Sequence, residues 1–349
     1  MNPVSQLHRA LYRWYEQNKR ILPWREVDDP YKIWISEIIL QQTRVVQGME
    51  YYLRFIDRFP DTATLAAAHE DEVLRYWQGL GYYSRARNLH KAARMIVEKG
   101  WLPFPSAFEQ IRLLPGIGDY TAGAIASFAY NLPYPAMDGN VYRVVARLFD
   151  CDTPFDTSAG KKHFHNLIEN LLDRENARLF NSAIMEFGAL YCTPSLTLLG
   201  SEEPSCPQCP LGIFCQARAH DTAPLLPVRK PRTELRDRYL NYLIYISGAS
   251  TLLHQRTKKD IWQHLYEFPL LETDHLFDSS EAADILRSSD FLTLDFTHIL
   301  SHQRLHARFF CCCVPALPTL PETLSVPLAD LDQYALSRLT LRALEKLHI

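Results

Sequence analysis

Two carboxylates and a glycine-containing turn are the parts of this chain whose residue types and spacing could do chemistry. The turn is Leu114-Pro115-Gly116-Ile117-Gly118-Asp119-Tyr120-Thr121. Two glycines permit positive φ and leave no Cβ in the way, so successive backbone N–H groups can face a phosphate. Thr121 to Tyr130 continues as a helix of small side chains that lets another backbone come close, and its positive end favours the same anion. Next comes Met137-Asp138-Gly139-Asn140, a carboxylate at the start of a helix over 141–149. The other acid is Glu37. Asp28-Asp29-Pro30 opens a helix predicted to run through Arg44, with Glu37, Gln41 and Arg44 on one face and Ile35, Ile38 and Ile39 as its apolar stripe. Each feature has a plainer reading too: an ordinary Pro-Gly-x-Gly turn, an Asp that simply caps a helix, a Glu on a solvent face.

Thiols form the second chemical group. Eight cysteines in a chain whose start, Met1-Asn2-Pro3-Val4-Ser5, lacks an export pattern argue for thiolate chemistry over disulfides. Cys192, Cys206, Cys209 and Cys215 follow the spacing Cys-x13-Cys-x2-Cys-x5-Cys, with Pro207 and Pro210 stiffening the close pair. Such thiolates can converge on one metal centre, either zinc or an iron-sulfur cluster, and spacing alone does not choose. Cys151 and the run Cys311-Cys312-Cys313 read as packing residues, because consecutive strand positions alternate faces.

The elements that must hold these groups divide the chain in two. With 349 residues and 47% hydrophobic content, the chain is long enough for two cores. From Leu7 to about Phe187 apolar residues recur at helical spacing, so residues 1–221 read as an all-α domain. The proline-bearing stretch 222–236 reads as an extended linker. Residues 237–349 read as an α+β module with strands at Tyr239 to Ile246, Thr251 to Gln255 and Ala307 to Val314, and helices at Ser280 to Ser288 and Leu328 to Leu347. No apolar run approaches the roughly 20 residues that cross a bilayer, so a cytoplasmic protein without a membrane partner is expected, nucleoid-associated if bacterial. The net charge of -3 is unlike that of a typical nucleic-acid binder. Basic residues do cluster locally, at Arg85, Arg87, Lys91 and Arg94 and again at Arg229, Lys230 and Arg232; either cluster also reads as a solvated face.

The hairpin with a following Asp is the helix-hairpin-helix pattern and resembles the superfamily of DNA base-excision glycosylases. Trp24-Arg25, Trp34-Ile35-Ser36-Glu37-Ile38-Ile39-Leu40-Gln41-Gln42-Thr43, Gly79-Leu80-Gly81-Tyr82-Tyr83-Ser84-Arg85, Asp138-Gly139-Asn140 and the cysteine loop together resemble the MutY family of adenine DNA glycosylases. That resemblance implies that Glu37 protonates adenine and that Asp138 supports the cation formed at the sugar. A raised Glu37 pKa and an ionised Asp138 are expected from such roles. It further implies that Gln42 and Tyr82 enter the base stack, with Leu80 among the substrate contacts. Trp24, Arg25, Leu40, Val45, Tyr120 and Asn140 would form the pocket or brace its carboxylates, and Gly116 and Gly118 would bind phosphate. Members that also cut the strand carry a lysine at the position of Tyr120, so a monofunctional enzyme is expected. By the same resemblance the four spaced cysteines ligate a 4Fe-4S cluster, with zinc as the alternative. Thirteen residues separate Cys192 from Cys206 where the family usually has six, an extension costing about 1 kcal/mol or less in loop closure.

Lys258-Lys259-Asp260-Ile261-Trp262-Gln263-His264-Leu265 and Thr297-His298-Ile299-Leu300-Ser301-His302 resemble the Nudix-like C-terminal domain of the same family, which reads 8-oxoguanine, here through Ser301 and His302. Asp260, Gln263 and His264 stand where the family often has glycines, and Leu300 where it has phenylalanine. No Nudix hydrolase box is present. His298, His302 and His306 recur every four residues, which would suit a metal only on a helix; a strand and turn are expected instead. The expectation is therefore an all-α helix-hairpin-helix glycosylase domain with an iron-sulfur loop, followed by an α+β Nudix-like domain. The chain would act as a monomer on duplex DNA bearing A:8-oxoguanine or A:G mispairs. The competing readings are an endonuclease III-like glycosylase for oxidised pyrimidines and a DNA-binding module whose carboxylates are structural.

Overall fold

A computed structural model describes residues 2–25, 27–198, 200, 202–231 and 234–349. Arg232 of the second basic cluster lies outside the described residues. The chain divides into two compact units: Met1–Thr64 with Ala92–Pro231, and Leu65–Lys91 with Arg232–Ile349. Among the described residues no helix is long and apolar enough to cross a membrane.

Helices dominate the first three-fifths of the chain. They are α1 (Pro3–Asn18), α2 (Pro30–Ile39), α3 (Val45–Arg58), α4 (Thr62–Ala67), α5 (Glu70–Tyr76) and α6 (Ser84–Glu98). There follow α7 (Phe108–Arg112), α8 (Asp119–Tyr130), α9 (Gly139–Leu148), α10 (Ser158–Glu169), α11 (Ala177–Leu190) and the short α12 (Gln216–Ala219). Their starts are written in the sequence. Pro30 supplies the fixed φ of a first helical residue while the Asp29 carboxylate accepts from the N–H groups of Tyr31 and Lys32. The ends are less legible. α2 stops at Ile39 rather than continuing to Arg44, because Leu40 to Thr43 form a turn in which Gln42 has φ 56 and Arg44 becomes the N-cap of α3. Glu37, Gln41 and Arg44 therefore do not share a helix face. No Gly or Pro marks this break; a tertiary contact accompanies it, the Gln41 amide donating to Thr121 Oγ1 on α8 at 3.2 Å.

The core of the first unit runs through Leu11, Val141, Val145, Phe164, Phe180 and Phe187. Residues 222–231 belong to it rather than forming a loose extended linker. Ala223 and Leu226 are buried in that core, Phe155 N–H donates to Val228 O at 3.3 Å, and Lys230 N–H donates to Asp156 Oδ1 at 3.0 Å. The prolines that suggested an extended path also allow a one-turn helix at Ala223–Leu225 that tucks these apolar residues in.

The second unit holds β1 (Arg236–Ile246), β2 (Ser250–Gln255), β3 (Tyr266–Glu267), β4 (Leu270–Thr273), α13 (Ser279–Leu286), β5 (Leu292–Ile299), β6 (Gln303–Cys313), β7 (Thr323–Pro327) and α14 (Arg338–Leu347). One sheet has the order β4-β1-β6-β5 and another β3-β2-β7; β1 and β6 run parallel, with Tyr242 opposite Phe309. Alternation sets the layers. Leu240, Tyr242 and Ile244 face one core with α14, while Leu243 and Tyr245 face a second with α13. Cys311 packs with the first core and Cys312 with the second, as alternation on a strand requires. The expected helix over 328–347 is interrupted: a short 3-10 turn ends at Gln333, Tyr266 N–H donates to Ala335 O at 2.8 Å, and Ser337 caps α14 by accepting from Thr340 N–H. His298 and His306 lie on antiparallel β5 and β6 and His302 on the turn between, so the three do not form a helical face.

Candidate active site

Glu37, Asp138, Tyr120 and Asn140 line one cavity of about 580 Å³, together with Trp24, Arg25, Leu40, Gln42 and Val45. Each arrives on a different support. Glu37 sits in the last turn of α2, a helix buried on nearly every side, and is 7% exposed. Tyr120 stands in the first turn of α8, and its hydroxyl donates to Glu37 Oε2 at 2.7 Å. Asp138 is the N-cap of α9, its Oδ1 accepting from Val141 N–H at 2.8 Å and its Oδ2 from Asn140 Nδ2 at 2.7 Å. The capping and cavity-lining readings of Asp138 are thus both true.

The path to Asp138 is fixed by what the neighbouring helices lack. A Cβ on Gly123 of α8 would lie 2.3 Å from Pro135 O, and one on Gly188 of α11 would lie 2.8 Å from Asn140 O. The small face of α8 therefore seats the segment leading into α9. Asn181, fully buried on α11, completes the seat by accepting from Ala136 N–H at 3.0 Å and donating to Tyr134 O at 2.9 Å.

Burial raises the Glu37 carboxyl above its ordinary pKa and the Asp138 charge adds to that, while the Tyr120 hydroxyl and the Arg25 charge oppose it. Asp138 is also raised by burial, but Val141 N–H, the Asn140 donors and the Arg143 charge all stabilise its anion. The expectation of an ionised Asp138 is thus opposed by its surroundings in one respect and supported in another. With more donors on its carboxylate, Asp138 is the group of the pair that ionises first.

A third carboxylate was missed in the sequence. Glu186 of α11 lines the same cavity, 2% exposed, and accepts from Arg20 N, Nε and Nη2 at 3.0, 2.6 and 2.8 Å. Burial works to raise it, yet the Arg20 donors prevail and hold it below the usual carboxylate range. The available signal was a lone acid inside the apolar run Ala183-Ile184-Met185-Glu186-Phe187. Trp24 both lines the cavity and packs edge-to-face on Tyr52, so its core role and its site role coincide. Arg25 lies over the Phe128 ring and donates to Ser182 Oγ at 3.1 Å.

Gly116 and Gly118 are not among the residues that line the cavity. Gly116 has φ 77, but Gly118, the N-cap of α8, has φ -96, so positive φ is needed at only one of the two glycines. A Cβ at Gly118 would meet open space, leaving that backbone approachable from outside.

From Asp138 a hydrogen-bonded path reaches the cysteine loop. Arg143 donates to Asn140 Oδ1 at 2.8 Å, to Gly188 O at 2.6 Å and to Cys192 O at 2.7 Å, and Arg147 Nη1 approaches Cys192 Sγ at 3.2 Å. Cys206, Cys209 and Cys215 follow in tight turns, Cys209 N–H donating to Cys206 O and Gly212 N–H to Cys209 O. Burial pushes the Cys209 thiol up to about 12, and the other three cysteines add to it, which places all four thiols within one electrostatic neighbourhood. Such thiols ionise when a cationic centre takes them as ligands. Among the described residues no three His, Cys, Asp or Glu side chains converge closely enough for a single ion. Four cysteines beside an arginine are the residues that could hold a metal centre with thiolate ligands.

In the second unit, Tyr82 is 48% exposed with φ 49, a left-handed conformation costing a non-glycine residue roughly 1–2 kcal/mol. Leu80 is buried, and its carbonyl accepts from Arg85. Ser301 and His302 form a two-residue turn between β5 and β6, closed by Leu300 N–H donating to Gln303 O at 2.8 Å. Both are exposed, and Ser301 Oγ lies 3.1 Å from His302 Nδ1.

Residues 35–170 match the family described as HhH-GPD superfamily base excision DNA repair protein, and residues 241–346 match the NUDIX domain. The adenine DNA glycosylase of Buchnera aphidicola subsp. Baizongia pistaciae (strain Bp) is 34% identical over 308 residues, 86% of this chain and 84% of that one. That of Homo sapiens is 39% identical over 224 residues, 62% of this chain and 40% of that one. Among solved structures, a thermostable thymine-DNA glycosylase superposes with a TM-score of 0.55 at 25% identity, covering 62% of this chain and 97% of its own. A non-covalent endonuclease III-DNA complex, 22% identical, shares the fold with a TM-score of 0.51 over 63% of this chain and 99% of its own. With a helical base-excision domain, a NUDIX domain behind it and a relative matched over most of both chains, the chain belongs to the MutY family of adenine DNA glycosylases.

Proposed function

We propose that this chain hydrolyses the N-glycosidic bond of adenine opposite 8-oxoguanine, and more weakly opposite guanine, in duplex DNA, and leaves the strand uncut. The observation that carries this reading is the pair Glu37 and Asp138 on one cavity, the first bonded to the Tyr120 hydroxyl and the second to the Asn140 amide. The cavity falls within the roughly 300–1,000 Å³ typical of small-ligand sites. Adenine must leave the stack to enter it. Glu37, whose proton affinity burial raises, donates to N7 while the bond from C1′ to N9 breaks, so the base departs neutral. The Asp138 carboxylate faces the sugar cation, and water then adds to C1′ and gives up its proton to the Glu37 carboxylate left by the first step, which restores the acid. Glu186, held ionised by Arg20, supplies an acceptor for the exocyclic amine, a donor that keto purines lack at that position.

Tyr120 offers no amine for a Schiff base. Its phenol is held well above its ordinary pKa by burial and by the neighbouring carboxylates, so it serves as a donor to Glu37 rather than as a nucleophile. Trp24, Arg25, Leu40 and Val45 wall the base, Gln42 and Tyr82 fill the stack, Gly116 and Gly118 grip phosphate, and Ser301 and His302 read the lesion. Cys192, Cys206, Cys209 and Cys215 would hold a 4Fe-4S cluster in preference to zinc. When bound, that cluster supplies a rigid anchor for the loop at the end of α11. The test is single-turnover release of free adenine from duplexes carrying A:8-oxoguanine, A:G or A:T. The expected order of rates is the order just given, with strand breaks appearing only after alkali; equal rates on all three, or a break without alkali, would refute the proposal.

A further inference from the structure

We infer that the backbone of Leu336, in the C-terminal stretch, positions the Tyr82 side chain through a latch made by Gln78 and Tyr83, so that the NUDIX part of the chain sets the stacking residue as well as reading the lesion. The inference rests on the reading of Tyr82 as a residue that enters the base stack. All the residues involved belong to the second compact unit. Both polar groups of Leu336 are taken: its N–H donates to Gln78 Oε1 at 3.1 Å, and its carbonyl accepts from the buried Tyr83 hydroxyl at 3.2 Å. The same hydroxyl accepts from Gly79 N–H at 3.3 Å, so one oxygen ties Leu336 to Gly79 in the loop that carries Tyr82.

Both ends of the latch are anchored. Leu336 follows Ala335, whose carbonyl is bonded to Tyr266 of β3, and precedes the Ser337 cap of α14. On the other side, the loop carbonyls are held from within: Trp77 Nε1 donates to Gly81 O at 3.1 Å, and Arg85 Nη2 donates to Leu80 O at 3.3 Å and Gly81 O at 3.1 Å. The Arg85 guanidinium also lies over the Trp77 and Tyr82 rings, 5.2 and 5.6 Å from their centroids. A second tie comes from the loop before β3, where Arg87 donates to Gln263 O at 2.7 Å and His264 contacts Glu70. That last contact needs a side chain at 264, one of the positions where the family often has glycine. Tyr82 is left at φ 49 with its ring half exposed, on a loop whose backbone cannot easily relax.

Tyr83→Phe removes the bridging oxygen and keeps the ring, and Gln78→Ala removes the other half of the latch. Each should be compared with Tyr82→Ala and with the matching double variants in the full-length chain. The readouts are single-turnover adenine release and the fluorescence of 2-aminopurine placed beside 8-oxoguanine, which rises when a side chain unstacks it. Tyr82→Ala is expected to abolish the fluorescence rise. Tyr83→Phe and Gln78→Ala are each expected to reduce the rise and slow release about 2- to 12-fold, as for one lost buried hydrogen bond. Neither should add to the defect of Tyr82→Ala, because they act through it. Additive defects, or an unchanged rise in Tyr83→Phe and Gln78→Ala while Tyr82→Ala abolishes it, would overturn the latch alone. An unchanged rise in Tyr82→Ala would overturn the stacking role of Tyr82 and the latch with it.

Discussion

The cavity of the first unit and the β5–β6 turn of the second place their polar groups in opposite environments. Glu37, Asp138 and Glu186 are enclosed and bonded to Tyr120, Asn140 and Arg20, whereas Ser301 and His302 stand in solvent beside each other. Enclosure changes proton affinity, which proton transfer requires; exposure leaves an open approach, which recognition requires. The same contrast appears in the supports, three helices, α2, α9 and α11, for the acids and a two-residue turn for Ser301 and His302.

The largest expected effect tests the enclosed half. Glu37→Gln keeps the shape and removes the proton, and single-turnover adenine release should fall by about 10²–10⁴-fold with DNA binding retained. A variant within tenfold of the parent would break the contrast, because burial would then have no chemical purpose. The exposed half should behave differently. Ser301→Ala with His302→Ala should lower the preference for A:8-oxoguanine over A:G by on the order of tenfold, measured as the ratio of rates at subsaturating enzyme, with A:G release nearly unchanged.

Smaller effects sharpen the comparison. Under the proposed mechanism release needs Glu37 protonated, so the rate should fall as pH rises through its raised pKa. The Tyr120 hydroxyl stabilises the Glu37 anion and so holds that pKa down; Tyr120→Phe should move the falling limb to higher pH, read from a pH profile of single-turnover rates. The smallest effect is on stability. A buried carboxyl with a raised pKa stabilises the fold fully below its unfolded value near 4.5, and that contribution is lost as pH rises through the folded value. Glu37→Gln carries no such penalty and should unfold at a higher temperature than the parent at pH 8 but not at pH 4. The gain is about 2–4 °C for each kcal/mol recovered in a unit of about 200 residues, the size of the one that holds Glu37.

What the sequence made legible follows the range of the interactions involved. Asp29-Pro30 and Asp138 announce their helices because capping is decided within three residues. The run of aromatic and branched residues from Tyr239 to Ile246 is equally local, and it forms β1, buried on both faces. The end of α2 at Ile39 was not legible, since Gln42 adopts its left-handed conformation beside a contact with Thr121 on another helix. Glu186 was hidden for the same reason, its partner Arg20 lying far away in the chain. The tucked path of 222–231 likewise depends on a core assembled from distant helices.

One feature of the second unit bears on how the chain is made. Leu65–Lys91 leaves the ribosome about 245 residues ahead of Leu336, a delay of roughly 12–50 s at ordinary synthesis rates. During that interval Tyr83, Gln78, Glu70 and Arg87 await partners that have not been translated. A nascent or truncated polypeptide ending near Pro231 therefore displays an unfinished surface in the middle of its helical half, and holding by chaperones is expected to matter more for this segment than for the helices around the cavity.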